Sequence, residues 1–200
     1  MKKQLLKTAL CLAALANGNS ITAQVALVEA PGVESQDIGR VSTVGNKLFF
    51  TGREQGGSAV TDVYLWTNDG TSSTKIRLMS QVAQNISPSY FFPCNGKAFF
   101  FYSDGVSAGG YEPWVSDGTS AGTYMIKDIN PGGSNSVIGN GTQNCTCYNN
   151  KIYFAADNGT NGSELWVSDG TNAGTQMVKE IKTGSAGAAI GGMVSYKNEL

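Results

Sequence analysis

The chain has 200 residues and a formal net charge of −1, with 26 glycines, only 14% charged residues and no histidine. Without histidine there is no Ser-His-Asp or Cys-His nucleophile system, no His-ligated zinc and none of the commonest general base. The near-balanced charge gives no cationic footprint for nucleic acid, and 40% hydrophobic residues with 10% aromatics are too many for a disordered chain.

The first residues read as an address. Lys2, Lys3 and Lys7 form a basic start, and Leu5 to Ala16 are apolar apart from Lys7 and Thr8. Asn17 to Thr22 are small and polar, and Ile21-Thr22-Ala23 offers a cleavage site before Gln24. A membrane-crossing helix needs about 20 apolar residues, roughly twice this run. A lipoprotein would need a small residue before Cys11, where Leu10 stands. Residues 1–23 are therefore expected to be a cleaved secretory signal peptide, and the protein to be secreted or displayed at the cell surface. Cleavage removes three of the 14 basic residues and none of the 15 acidic ones, which moves the charge from −1 to −4.

Residues 24–40 form an N-terminal segment whose Val25-Ala26-Leu27-Val28-Glu29-Ala30-Pro31-Gly32 reads as one strand. Beyond it no stretch sustains a 3.6-residue apolar period, and self-similarity takes over. Tyr64-Leu65-Trp66-Thr67-Asn68-Asp69-Gly70-Thr71 aligns with Glu112-Pro113-Trp114-Val115-Ser116-Asp117-Gly118-Thr119 and with Glu164-Leu165-Trp166-Val167-Ser168-Asp169-Gly170-Thr171. The chain's three tryptophans share one place in this unit, 48 and then 52 residues apart. Upstream markers are Asn46-Lys47-Leu48-Phe49-Phe50, Gly96-Lys97-Ala98-Phe99-Phe100 and Asn150-Lys151-Ile152-Tyr153-Phe154. Downstream, Gly122-Thr123-Tyr124-Met125-Ile126-Lys127 matches Gly174-Thr175-Gln176-Met177-Val178-Lys179, with Ser73 to Leu78 a weaker first copy. The units span 41–86, 87–140 and 141–190, and residues 191–200 start a fourth.

Each unit holds short β-type runs between Gly, Asn, Asp and Ser clusters. Four strands are expected per unit: a typified by Met193 to Tyr196, b by Lys151 to Ala155, c by Glu164 to Ser168, d by Gln176 to Ile181. The fold class is all-β. Four short strands in about 50 residues match a β-propeller blade, so the expectation is about three four-stranded antiparallel blades plus the start of a fourth. A β-solenoid competes, but its coils are shorter and its strands parallel, whereas the tight a–b turn favours antiparallel neighbours. Residue 198 falls in step with the markers at 46, 96 and 150, so the chain is expected to be a piece of a larger propeller. The strand at 25–32, with no a, b or c strand before it, would then close the ring in the complete protein and stay unpaired or pack on an available blade here.

The string Glu164-Leu165-Trp166-Val167-Ser168-Asp169-Gly170-Thr171 followed by Gly174-Thr175 resembles the ELWxxDGT repeat of large secreted bacterial proteins, as does the linker Ile129-Asn130-Pro131-Gly132-Gly133-Ser134. The second unit departs at Pro113; the first departs at Tyr64 and Asn68 and lacks the Gly-Thr pair. The resemblance implies propeller-like β repeats and often a C-terminal sorting domain read by outer-membrane secretion machinery. It implies no catalytic activity.

Residues that recur in every unit do a unit's job, since a catalytic group is needed once. Trp66, Trp114 and Trp166 are expected to fill the gaps between blades, each indole removing about 150–250 Å² from water, worth at most about 4–6 kcal/mol. Stacking on sugar rings is the functional alternative. Asp69, Asp117 and Asp169 open Asx-turns. Calcium needs six to eight oxygens, and Asp157-Asn158-Gly159-Thr160-Asn161-Gly162 is only a broken version of such a loop. No other cofactor is expected. Glu112 and Glu164 invite comparison with paired-carboxylate glycosidases but are expected to be structural, and Lys47, Lys97 and Lys151 to solvate the a–b turn. Outside the signal the cysteines are Cys94, Cys145 and Cys147, which in an exported protein points to one disulfide, Cys94 with Cys147 or Cys145, or to a partner elsewhere. A three-cysteine zinc site lacks a fourth ligand.

Length variation concentrates in the b–c and d–a connections, which share one end of the sheets, as expected for recognition loops on a fixed scaffold. Arg53, Glu54, Asp62, Asp104, Tyr111 and Asp157 are the candidate ligand-binding residues there. The expected function is a secreted or surface scaffold that binds extracellular protein or glycan, without catalysis of its own and with no nucleic-acid or membrane-spanning role. The alternatives are the non-catalytic part of an extracellular carbohydrate-active hydrolase or lyase and a structural spacer of a large surface protein.

Overall fold

The fold grows from hairpins whose turns fix their register. In the computed structural model, which describes residues 10–15, 24–29, 32–33, 39–54, 62–80, 90–104, 110–137 and 145–195, three four-stranded antiparallel sheets follow one another along the chain. The short N-terminal pair is β1 (Leu10–Leu15) and β2 (Gln24–Glu29). The first sheet is β3 (Gly39–Val44), β4 (Lys47–Arg53), β5 (Val63–Asn68) and β6 (Ser73–Ser80). The second is β7 (Phe92–Cys94), β8 (Lys97–Tyr102), β9 (Glu112–Ser116) and β10 (Tyr124–Met125). The third is β11 (Cys145–Tyr148), β12 (Lys151–Asp157), β13 (Ser163–Ser168) and β14 (Gln176–Lys179). In each sheet neighbours in sequence are neighbours in space, the meander anticipated as strands a to d. No helix occurs among the described residues, and none is long and apolar enough to cross a membrane.

The first hairpin of each sheet closes on a two-residue turn. Asn95-Gly96 and Asn149-Asn150 have positive φ at both positions, the backbone of a type I′ turn. Between the second and third strands of each sheet the second aromatic of the upstream marker lies opposite the tryptophan, giving the pairs Phe50 with Trp66, Phe100 with Trp114 and Phe154 with Trp166. The last strand carries an extra residue: Trp66 pairs with Lys75 while Leu65 pairs with Arg77, and Trp166 pairs with Met177 while Leu165 pairs with Lys179. This bulge turns Ile76 toward the second sheet, and Ile126, at the same place in the second unit, toward the third.

Strand alternation then builds two cores. Phe49, Leu65 and Ile76 of the first sheet pack on Ala98, Phe100, Tyr102 and Trp114 of the second. Phe99, Phe101, Val115 and Ile126 of the second pack on Ile152, Phe154, Ala156 and Trp166 of the third. All three tryptophans are buried, and Trp114 and Trp166 fill the spaces between sheets. Trp66, at the equivalent position, lies on the face of the first sheet turned away from the second, beside Val33 and Gly52.

Several expectations are corrected. Met193–Ser195 join no ladder and carry no strand, and residues 196–200, with the expected b-strand start, lie outside the described residues. The d strand of the third unit ends at Lys179 rather than Ile181, because the Ile181 N–H turns aside to the Glu164 carboxylate. The segment beginning at Gln24 neither stays unpaired nor joins a four-stranded sheet: β2 pairs antiparallel with β1 from Leu10↔Glu29 to Leu15↔Gln24. Residues 30–31 lie outside the described set. The three sheets are open and form no closed ring, the open arrangement that three such units were expected to take.

Candidate functional site

The repeated motif residues are all engaged with backbone. Asp69, Asp117 and Asp169 each accept the N–H two residues on, at 2.9, 2.8 and 2.8 Å, with their Oδ1. The hydroxyls of Thr71, Thr119 and Thr171 donate to the same oxygens, and these hydrogen bonds hold the carboxyls below their ordinary range, Asp69 at about 2. Thr119 and Thr171 then accept the N–H of Gly122 and Gly174. Ser116 and Ser168 accept the N–H of Gly118 and Gly170, and in the first unit Asn68 does this with its amide oxygen. The motif is a self-bonded turn. It also docks: a Cβ on Gly118 would stand 3.2 Å from Lys47 Nζ and 3.3 Å from Phe49, and one on Gly170 3.4 Å from Phe99. Lys47, expected only to solvate its turn, thus lies against the Asp-Gly turn of the following sheet, where its charge also favours ionised Asp117.

Glu112 and Glu164 are fully buried and latch the chain that leaves each sheet. Glu112 accepts the N–H of Ile129 at 2.8 Å and of Ser136 at 3.2 Å; Glu164 accepts those of Ile181 and Lys182 at the same lengths. Burial, helped by the Asp128 charge, raises the Glu112 carboxyl to about 7 against the hydrogen bonds from Ile129 and Ser136 that lower it. The two glutamates sit on separate sheets, in separate latches. Cys94 and Cys147 form a disulfide with Cα atoms 5.4 Å apart, joining the second sheet to the third. Cys145 is a free thiol whose titration burial pushes up.

The six candidate recognition residues lie at the b–c ends of the sheets, split among several places. Glu54 accepts from Lys75 Nζ at 2.8 Å, Lys75 lies 4.7 Å from the Tyr64 ring centroid, and the Tyr64 hydroxyl donates to Asp62 Oδ2 at 3.5 Å. Glu54 and Asp62 are thus linked through Tyr64 and Lys75 on the first sheet. Asp104 and Tyr111 belong to a second group, between the first and second sheets: burial, with the Asp104 charge, raises the Tyr102 phenol, and Arg40 partly offsets the burial that raises Tyr111. Asp157 is apart. Its N–H donates to Ser136 O at 2.7 Å, and its Oδ1 accepts the Gly159 N–H at 2.7 Å. Arg53 closes β4 opposite Val63.

Residues not singled out from sequence complete these groups. Arg77 lies 4.9 Å from the Trp114 ring centroid, and Arg40 lies 4.5 Å from that of Tyr90. Lys75 and Tyr64 were legible as departures from the repeat, standing where the later units carry Met and Glu. In the Asp157–Gly162 loop, Asn158 Oδ1 accepts the N–H groups of Thr160 and Asn161, so backbone takes oxygens a cation would need. Among the described residues no group of three or more His, Cys, Asp or Glu side chains gathers to hold a metal. No protein-family model matches the chain, and no curated protein or solved structure matches it.

Proposed function

We propose that the protein is a secreted or surface-displayed scaffold of propeller-type blades that binds an extracellular protein or glycan through the b–c end of its sheets, without catalysis of its own. The observation that carries this reading is the division of labour between the ends. At the c–d end, the Asp-Gly-Thr residues are engaged with backbone and the neighbouring sheet. At the b–c end, units differ in length, and the first presents Arg40 over the Tyr90 ring and Lys75 between Glu54 and the Tyr64 ring. Mixed charge beside aromatic rings suits polar, hydroxyl-rich or peptide surfaces. The basic N-terminal segment with its apolar run supports export, and the Cys94–Cys147 disulfide fits an oxidising compartment.

The test is a binding screen of the purified chain against immobilised glycans and cell-surface proteins. A hit lost in Glu54→Ala/Asp104→Ala, with an unchanged unfolding midpoint, supports the reading. A hit that survives this variant and is lost on changing the exposed Thr71 of a c–d turn overturns it. Turnover of any bound glycan would move the protein into the hydrolase or lyase alternative.

A further inference from the structure

Arginine is confined to one place in the chain. Of the 14 basic residues three are arginines, Arg40, Arg53 and Arg77, and all belong to the first unit. Gly39, Thr51, Leu65 and Arg77 pair into one row across the first sheet near its b–c end, with Arg40 beside Gly39 and Arg53 two residues beyond Thr51. Three inter-strand spacings set the two edges of that row about 14 Å apart. Arg53 shares with Phe49 and Thr51 the face of β4 turned to the second sheet. Arg77 crosses to that sheet, 4.9 Å from the Trp114 ring centroid, and Arg40 lies 4.5 Å from the ring centroid of Tyr90, on the approach to β7. Arg40 stands in the bulge of β3 with φ of +47°, and bulges re-aim side chains.

The acidic side chains of the first unit's b–c end belong to its other face. Tyr64 stands two residues before Trp66 and Lys75 opposite it; Asp62 accepts from Tyr64 and Glu54 from Lys75. On the arginine side the second sheet contributes Asp104, among Tyr102 and Tyr111. Burial raises both phenols, Asp104 and Arg77 act on that of Tyr102 in opposite senses, and Arg40 lowers that of Tyr111. These groups therefore share one neighbourhood. At the next junction Ser103 stands in place of Arg53, and Lys127, which donates to Thr175 O, in place of Arg77.

A guanidinium fixed over a ring keeps N–H donors at its edge, and its planar fork grips a carboxylate through two parallel bonds, as the ammonium of lysine does not. Forks rooted about 14 Å apart suit carboxylates repeated along one extended ligand. Asp104 and the Tyr111 hydroxyl add acceptors, for which sugar hydroxyls are the donors. An extended peptide would instead pair its backbone with the edge of a sheet, whereas these groups cross the strand ends. We propose that the b–c end of the junction between the first two sheets binds an acidic glycan, with Arg40, Arg53 and Arg77 taking the carboxylates of its uronic acid residues and Asp104 and Tyr111 its hydroxyls. This rests on the reading of the b–c end as the recognition surface and names its ligand class.

The probes are an oligogalacturonate, the same oligosaccharide with its carboxylates methyl-esterified, and an oligoglutamate of equal charge, each titrated against the purified chain by calorimetry. Binding of the oligogalacturonate, lost on esterification and absent for the oligoglutamate, is expected. Arg40→Gln and Arg77→Gln are each expected to weaken it about tenfold. Arg77→Lys should restore only part, and Lys179→Gln, at the exposed place of Arg77 on the third sheet, should leave binding unchanged. Equal binding of acid and ester, equal binding of the oligoglutamate, or binding indifferent to both arginine substitutions overturns the proposal. The ester comparison uses the unaltered chain, so it decides even where Arg77→Gln loosens the packing on Trp114. A neutral glycan or a protein held at the b–c end without response to Arg40→Gln overturns this inference and leaves the recognition surface standing; no ligand at that end overturns both.

Discussion

At the scale of single residues, the three tryptophans look alike in sequence and differ in one bond. Trp66 Nε1–H donates to Gly52 O at 3.0 Å, while the buried Nε1 atoms of Trp114 and Trp166 have no partner. Replacing Trp66 with Phe therefore strands a buried carbonyl and should cost about 1 kcal/mol more than the same change at Trp114. Trp166→Ala should cost about 3–5 kcal/mol by opening the second core; denaturant titration of the variants measures both. Glu112 makes stability pH-dependent. Its folded-state carboxyl titrates at about 7, above its ordinary 4.5, so the folded chain holds that proton more tightly than the unfolded chain. The resulting stability is fully present below about 4.5 and is lost as pH rises through about 7, by at most about 3 kcal/mol. Asp128→Asn removes a charge that raises Glu112 and should shift the loss to lower pH, read from unfolding midpoints between pH 4 and 8.

At the scale of elements, sheets stack because each presents alternating apolar faces, and the joints between them are reinforced covalently once. Cys94, Cys145 and Cys147 all border the core between the second and third sheets, and the bridge closes between Cys94 and Cys147, leaving Cys145 a free thiol. With the bridged positions 53 apart in sequence, the chain-entropy account gives about 4 kcal/mol. Cys94→Ser/Cys147→Ser should lose about that much in denaturant titration, and reductant should leave the double variant unaffected. The strand order and the role of the tryptophan repeat were legible because period-2 patterning, Asn-Gly turns and a fixed spacing all agree from unit to unit. What the repeat could not disclose were the features that break it or that depend on distant partners. Val25 to Glu29 reads as a lone strand because its partner, Leu10–Leu15, lies in an apolar run that reads as a signal peptide rather than as a strand. The bulge that turns Ile76 inward, and with it the reach of Arg77 to Trp114, follows from sheet twist rather than composition. The six recognition candidates were correctly confined to one end by strand polarity, yet spacing along a strand is silent about lateral position, so their division into separate groups emerged only in three dimensions.

At the scale of the whole molecule, order along the chain is order in space, so every junction is a nearest-neighbour contact and stability is a sum over units and interfaces. Gly118 lies at one such interface with φ of +88° and Lys47 and Phe49 close by. Gly118→Ala adds backbone strain and a crowded methyl, and should cost about 1–3 kcal/mol, measured by thermal unfolding. The turns packed on the neighbouring sheet lie at the c–d end, and the proposed recognition residues lie at the other. Amide exchange with and without the bound glycan or protein tests this division most directly. Slowed exchange around Arg53, Glu54, Asp104, Tyr111 and Asp157, with the Asp69, Asp117 and Asp169 turns unchanged, is the predicted result; slowed exchange confined to those three turns would contradict it.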